Sequence, residues 1–387
     1  MDAAVAPAPL SHLRVALAHD SFTQWGGAER VVALMHELFP AAPIFTLAVN
    51  RSILPAGLRN AEFRPSFLQA WPGMPGLAAY KRLLPLLPAA AASLRPRGFD
   101  LVISSSSSFA HGLDAEPERH MAYIHNTMRF AWDYDQYVEG LGWPRLVRGT
   151  GRAAARWLRA WDRRAGARPA RLVANSAQVA MRIARRWDRR AAVLPPPVEQ
   201  EGILLGQGTR AYFCVVSRLV AYKRVDLAIA AAVQAGERLI VVGDGPDFPR
   251  LRRLAGPGVT FAGRVDDRTR NRLLAGAIAL IVPGIEDFGI APVEANAAGT
   301  PVIATSAGGV LETQIQGQTA LLVRSPTPEA FADALRRARA LEWDRAGLRR
   351  HAQRFSPAAF RTGLGNLVAD FVASRLPESE AAAGRLS

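Results

Sequence analysis

Two cationic residues, Arg218 and Lys223, stand in the string Ser217-Arg218-Leu219-Val220-Ala221-Tyr222-Lys223-Arg224, directly after an apolar run. Converging there, a planar guanidinium and a compact ammonium suit a diphosphate. A second string, Pro283-Gly284-Ile285-Glu286-Asp287-Phe288-Gly289-Ile290-Ala291-Pro292-Val293-Glu294, carries two glutamates with seven residues between them. Carboxylates accept from the vicinal hydroxyls of a sugar or ribose, and amides around Phe288 and Gly289 can face an anion. A third, Trp25-Gly26-Gly27-Ala28-Glu29-Arg30, follows an apolar run and opens a helical pattern. Its paired glycines let backbone amides approach phosphate at a helix N-terminus, although a tight packing turn needs the same residues. The third glycine of the dinucleotide fingerprint is missing, which argues against a dehydrogenase.

These strings need strands and helices to hold them. Short apolar runs at Leu13–His19, Pro43–Val49, Asp100–Ser104, His120–His125 and Arg171–Asn175 alternate with helical patterns. So do Ala211–Ser217, Arg238–Gly243, Val259–Ala262, Ile278–Val282, Pro301–Ala304 and Ala320–Val323. Such alternation predicts an α/β protein with two doubly wound parallel sheets, each candidate string lying beyond a strand's carboxyl end. The prolines of Leu194-Pro195-Pro196-Pro197 cannot continue a helix or a central strand. They divide the chain into residues 1–197, 198–355, and a closing helix and tail at 356–387 expected to pack back on the first domain. The serines Ser104 to Ser108 read as a polar loop.

Composition narrows the classes. A hydrophobic share of 49% with 21% charged residues fits a folded globular chain rather than a disordered one. The formal charge is +15, yet only Lys81 and Lys223 are lysine among 48 basic residues, an arginine skew that reads as codon bias. Neither aromatic platforms nor a recognised helix motif accompany the charge, so nucleic-acid binding is not expected. Cys214 lies in an apolar run and reads as inert packing. The residues 1–12 lack a cationic segment leading into an apolar core, and no apolar run reaches 18 residues, so the expected location is the cytosol. Arg145, Arg148, Arg152, Arg156, Arg159 and Arg163 recur at helical spacing, interleaved with Trp157, Leu158 and Trp161. That pattern suits a helix resting on the anionic inner face of the plasma membrane, to which Trp71–Leu94 with Lys81 and Arg82 would add; one solvated face gives the same pattern.

Taken together, Glu286 and Glu294 at their spacing, Arg218, Lys223 and Gly26-Gly27 resemble family 4 of the retaining glycosyltransferases. His125-Asn126-Thr127-Met128-Arg129-Phe130-Ala131-Trp132-Asp133 is similar to a string in bacterial mannosyltransferases that build lipid-linked O-antigen or exopolysaccharide units, apart from the intervening Asn126. The resemblance implies the GT-B fold, two Rossmann-like domains facing across a cleft. It implies that Arg218, Lys223, Gly26 and Gly27 hold the donor diphosphate. Glu286, Asp287, Phe288 and Gly289 would face the transferred sugar, Glu294 the ribose, and His125 the reacting centre, although a structural role for a lone His stays open.

In related enzymes the loop Gly263-Arg264-Val265-Asp266-Asp267 frames the base. A carboxylate there accepts from N1 and N2 of guanine, which points to GDP-mannose with Val265 and Asp267 beside the base; capping of the next helix by the two aspartates is the equal alternative. Asp133-Tyr134-Asp135 matches a metal-holding string of another fold, but residues two apart on a helix do not share a face, so no metal and no cofactor are expected. The implied partners are a nucleotide-sugar donor and a lipid-linked saccharide acceptor. A UDP-sugar transferase, or an epimerase or hydrolase consuming donor without acceptor, is the alternative.

Overall fold

Runs such as Val15–His19, Leu101–Ser106 and Ala277–Val282 are buried along their whole length, as strands covered by helices on both sheet faces must be. The computed structural model describes residues 12–76, 80, 82–138, 145–206, 208 and 210–375. Two units divide the chain: residues up to Tyr134 with Arg145–Pro197 and the chain from Pro357, and Val198–Ser356 with the segment 135–144.

The first unit holds a seven-stranded sheet of β1 (Val15–His19), β2 (Ile44–Thr46), β3 (Phe63–Pro65), β4 (Leu101–Ser106), β5 (His120–Ile124), β6 (Arg171–Ala174) and β7 (Ala192–Val193). Its order is β3-β2-β1-β4-β5-β6-β7, with every pair parallel. The second unit holds β8 (Tyr212–Val216), β9 (Leu239–Val242), β10 (Val259–Gly263), β11 (Ala277–Val282), β12 (Val302–Thr305) and β13 (Ala320–Val323), in the order β10-β9-β8-β11-β12-β13. Both orders reverse direction beside their first strand, between β1 and β4 and between β8 and β11. Open α/β sheets bind ligands beyond the carboxyl ends at such a switch point.

The two-residue β7 and the three-residue β3 lie at sheet edges and lack the apolar runs that expose the other eleven in the sequence. The serine run departs from expectation. Ser104, Ser105 and Ser106 are not loop but the buried end of β4. Their hydroxyls tolerate burial because each meets a histidine ring, at 2.7 to 2.9 Å.

The closing helix, Pro357–Ala373, buries Phe360, Leu364, Val368 and Phe371 in the first unit's core with Val15, Leu17, Tyr123 and Leu194. Their spacing places them on one stripe, and burying each contributes about 1.5–3 kcal/mol. Phe360 packs edge-on against Tyr123, 5.8 Å between ring centroids, and Arg361 bonds Glu37 at 2.7 Å. Residues 376–387, which include the frayed tail expected after Pro377, and Lys81 lie outside the described residues.

Candidate active site

In the second unit the chain leaves β8 at Ser217 and turns through a short 3-10 helix, Ala221–Lys223, into the helix Val225–Ala235. Two glycines that sequence reading passed over let the neighbouring loop support this turn. A Cβ on Gly243 would fall 1.9 Å from the Ser217 carbonyl oxygen, and one on Gly245 2.2 Å from that of Leu219. Leu219 donates its N–H to Asp244 and accepts from Asp247, both at 3.0 Å. The visible signal was the string Gly243-Asp244-Gly245-Pro246 after an apolar run. Arg218 is thereby held at the strand's end with its side chain exposed, and no hydrogen bond or ion pair engages its guanidinium among the described residues.

Lys223 meets the loop that follows β11. Its ammonium donates to Glu286 Oε2 at 2.5 Å, with both side chains about four-fifths buried. Gly284 permits the approach, since a Cβ there would lie 2.7 Å from Lys223 Cα. Glu286 is fixed through its backbone: it bridges to Gly308, and its carbonyl accepts from the Gly309 N–H at 2.8 Å. Gly289 at φ +94° then caps the helix Ile290–Ala297, a conformation glycine adopts without the Cβ penalty. Phe288 turns its ring into the core against Phe355, 5.5 Å away, so only its backbone faces the loop.

Glu294 is buried in that helix, 3.2 Å from Arg270 Nη2. Arg270 also donates from Nη1 to Asp267 Oδ1 at 2.9 Å. Sequence reading singled out both carboxylates but missed the arginine that joins them, one turn beyond Asp267. The capping alternative holds for Asp266, whose side chain accepts from Thr269 N–H; Asp267 is the first helical residue and largely exposed. Val265 packs beside Cys214, Val242 and Ala277. Burial pushes the Cys214 thiol up to about 12, which leaves it unreactive.

In the first unit, Asp20 follows β1 and its carboxylate accepts four consecutive backbone N–H groups, from Ser107, Ser108, Phe109 and Ala110, at 2.6 to 3.0 Å. This fixes the start of the loop that leads to Gly26, the N-cap of the helix Gly27–Leu38. Glu29 in the first turn lies 3.8 Å from His19 Nε2. Burial alone would lower the His19 pKa, but the Glu29 and Asp20 carboxylates outweigh it and raise it. Glu29 thus faces His19 inside the unit, and Gly26 stands at the N-terminus of the helix.

His125 sits just past β5 with Nε2 2.7 Å from Ser105 Oγ. Burial, with His19 nearby, lowers its pKa to about 4, so the ring is neutral at pH 7. The following residues are held by two arginines one turn apart on the helix Ala177–Trp187: Arg182 donates to Asn126 at 3.0 Å, and Arg186 to Thr127 at 2.7 Å and Asp133 at 2.5 Å. The unusual Asn126 thus has a defined partner, and Asp133 of the Asp-Tyr-Asp string is committed to an ion pair. Among the described residues no group of three or more His, Cys, Asp or Glu side chains is placed to hold a metal ion.

The basic helix runs Arg145–Gly166. Ala155, Leu158, Asp162 and Ala165 face inward, and Trp161 stacks near Phe109 and His111, so two of the three interleaved apolar residues serve the core. Arg152, Arg156, Arg163, Arg164 and Trp157, 47% exposed, remain outside. Among the described residues no helix is long and apolar enough to cross a membrane.

Residues 25–201 match the family model for Glycosyltransferase Family 4, and residues 199–359 that for Glycosyl transferases group 1. D-inositol 3-phosphate glycosyltransferase of Corynebacterium aurimucosum is 39% identical over 188 residues, 43% of this chain and 44% of that protein. A GDP-mannose-dependent alpha-(1-6)-phosphatidylinositol monomannoside mannosyltransferase of Mycobacterium tuberculosis is 34% identical over 146 residues, 33% of this chain and 38% of its own. The chain spans less than half the length of these curated relatives. Of solved structures, sucrose-phosphate synthase from Thermosynechococcus elongatus superposes with a TM-score of 0.70 at 19% identity, over 93% of this chain and 99% of that one. Anabaena HepE, solved with UDP and glucose, gives 0.65 at 17% identity, over 92% and 100%. The two glycosyltransferase family models match residues 25–359 between them, and the chain shares its two doubly wound sheets with the solved structures, so it has the GT-B fold and is similar to glycosyltransferases of the family 4 type.

Proposed function

We propose that this chain transfers a hexose, mannose from GDP-mannose, to a lipid-linked saccharide with retention at the anomeric carbon. One observation carries the reading: at the switch point of the second unit, Lys223 bonds Glu286 between the loops that follow β8 and β11, and exposed Arg218 follows the end of β8. Sugar transfer from a nucleotide diphosphate builds negative charge on the leaving oxygen. Positioned cations stabilise that charge without a proton acid, and in this reading Arg218 and Lys223 do so in place of a divalent ion.

Glu286 accepts from the sugar's hydroxyls, Asp287 and the amides of Phe288 and Gly289 line the same loop, and Glu294 takes the ribose. His125, neutral near pH 7, acts beside the sugar, and Gly26 and Gly27 bring amides to the diphosphate; both assignments rest on the resemblance. GDP is favoured by Asp267 beside Val265. A UDP-sugar is the second reading, favoured by Arg270, because a carboxylate already bonded to a guanidinium is a weaker acceptor for guanine. Exposed Arg152, Arg156, Arg163 and Trp157 support residence on the cytosolic face of an anionic membrane; failure to sediment with phosphatidylglycerol vesicles at low salt removes that part.

The test is incubation with a panel of nucleotide sugars and a bacterial lipid-linked disaccharide, followed by mass analysis of the lipid. A lipid heavier by one hexose, made from GDP-mannose alone, is expected. A product made only from a UDP-sugar overturns the donor assignment, and donor consumed without any acceptor overturns transfer.

A further inference from the structure

The last three residues of β4 each bond a histidine: Ser104 with His120 Nε2 at 2.7 Å, Ser105 with His125 Nε2 at 2.7 Å, and Ser106 with His111 Nδ1 at 2.9 Å. For Ser105 the direction of the bond follows from counting protons. Its hydroxyl is fully buried and has one proton, and His125 Nε2 is its one hydrogen-bond partner among the described residues. If Nε2–H donated, the serine proton would be left buried without an acceptor, a loss of about 1–3 kcal/mol. Ser105 therefore donates to the Nε2 lone pair, and a neutral imidazole that accepts at Nε2 carries its proton on Nδ1.

His125 Nδ1 bonds no protein atom among the described residues, and the residue is only partly buried. We infer that Ser105 is a positioning residue: it locks His125 as the Nδ1–H tautomer, so that the ring presents a hydrogen-bond donor to a hydroxyl of the transferred hexose. The second half of this statement rests on the proposed glycosyl transfer; the tautomer does not. Without the serine, the imidazole exchanges between its two neutral forms and offers a lone pair at Nδ1 for part of the time.

The test uses the full chain labelled with 15N-histidine, with two-bond nitrogen–proton correlation spectra at pH 7.5 and His125→Gln to assign the signal. Wild type is expected to show His125 protonated on Nδ1, Ser105→Ala to show a mixture or the Nε2–H form, and Ser105→Thr to restore the wild-type pattern. With the nucleotide sugar that wild type turns over, Ser105→Ala is expected to lower kcat/KM about tenfold, and to do nothing further in a His125→Gln background. An Nε2–H signal in wild type, or an unchanged one in Ser105→Ala, refutes the tautomer lock. A further loss in the double variant refutes action through His125. A wild type that turns over no nucleotide sugar refutes the reaction instead, and the spectra then decide the tautomer alone.

Discussion

Replacing Gly284 by alanine tests the packing that brings Lys223 to Glu286. The added Cβ would stand 2.7 Å from Lys223 Cα and 2.8 Å from the carbonyl oxygens of Lys223 and Tyr222, where ordinary contact begins near 3.4 Å. All three neighbours are backbone, so no side chain can rotate aside, and the two loops must part by at least about 0.7 Å. Overpacking of this kind costs about 1–3 kcal/mol, which lowers Tm by about 3–10 °C for a unit of this size. The same displacement draws the Lys223 ammonium from its place at the strand end. With Lys223 in its proposed place on the diphosphate, such a displacement costs roughly 10- to 100-fold in kcat/KM. Scanning calorimetry reads the first effect, and initial rates of nucleoside diphosphate release, taken well below the melting range, read the second. Gly149→Ala is the control: nothing lies within 4 Å of its Cβ position on an exposed helix turn, so the variant should be as stable or gain about 0.5–1 kcal/mol. A Gly284→Ala protein that melts with wild type and works at full rate would show that the two loops do not meet as described.

Two further outcomes are expected. Asp162 is fully buried and takes the indole N–H groups of Trp132 and Trp187 at 2.6 and 2.7 Å, with His111 Nε2 3.4 Å away. Asp162→Ala leaves both indole N–H groups buried without an acceptor, so thermal melts should show a loss of about 2–6 kcal/mol; an unchanged Tm contradicts the network. Burial, with His111 and Arg168 nearby, lowers the His120 pKa to about 3, and burial with His19 lowers that of His125 to about 4, while both titrate near 6.5 when unfolded. Between those values the unfolded chain holds more protons, so this stability is complete above pH 6.5 and is lost as pH falls toward 4. His19, with its pKa raised, acts oppositely and loses its contribution as pH rises through the folded value. Burial lowers the His36 pKa as well, so three groups oppose one, Tm should fall from pH 7 to pH 5, and His120→Gln should flatten the slope; a Tm that rises on acidification refutes the assignment.

Much of this was legible in the chain because parallel strands buried on both faces must be apolar throughout, and eleven of them announced themselves that way. The edge strands Phe63–Pro65 and Ala192–Val193 did not, having one neighbour and partly exposed side chains. Arg218, Lys223, Glu286 and Glu294 were legible because charge beyond an apolar run is conspicuous. Arg270 was not, since one arginine among many carries no signal until its guanidinium is seen between Asp267 and Glu294. The serines of β4 misled for a related reason: a polar run reads as loop unless its partners are known, and His111, His120 and His125 reach those hydroxyls only through the fold. Asp20, directly after the first strand, drew no notice although its four amide donors hold the loop that leads to Gly26.

In the proposed reaction Arg218 and Lys223 stabilise the leaving nucleotide. Its most direct measurement is the rate of nucleoside diphosphate release from GDP-mannose by wild type, Arg218→Ala and Lys223→Ala, each with and without excess chelator. Losses of about 100- to 1000-fold are expected in each variant, with no effect of chelator on wild type. Full turnover by both variants, or a wild-type activity that chelator abolishes and a divalent cation restores, contradicts it.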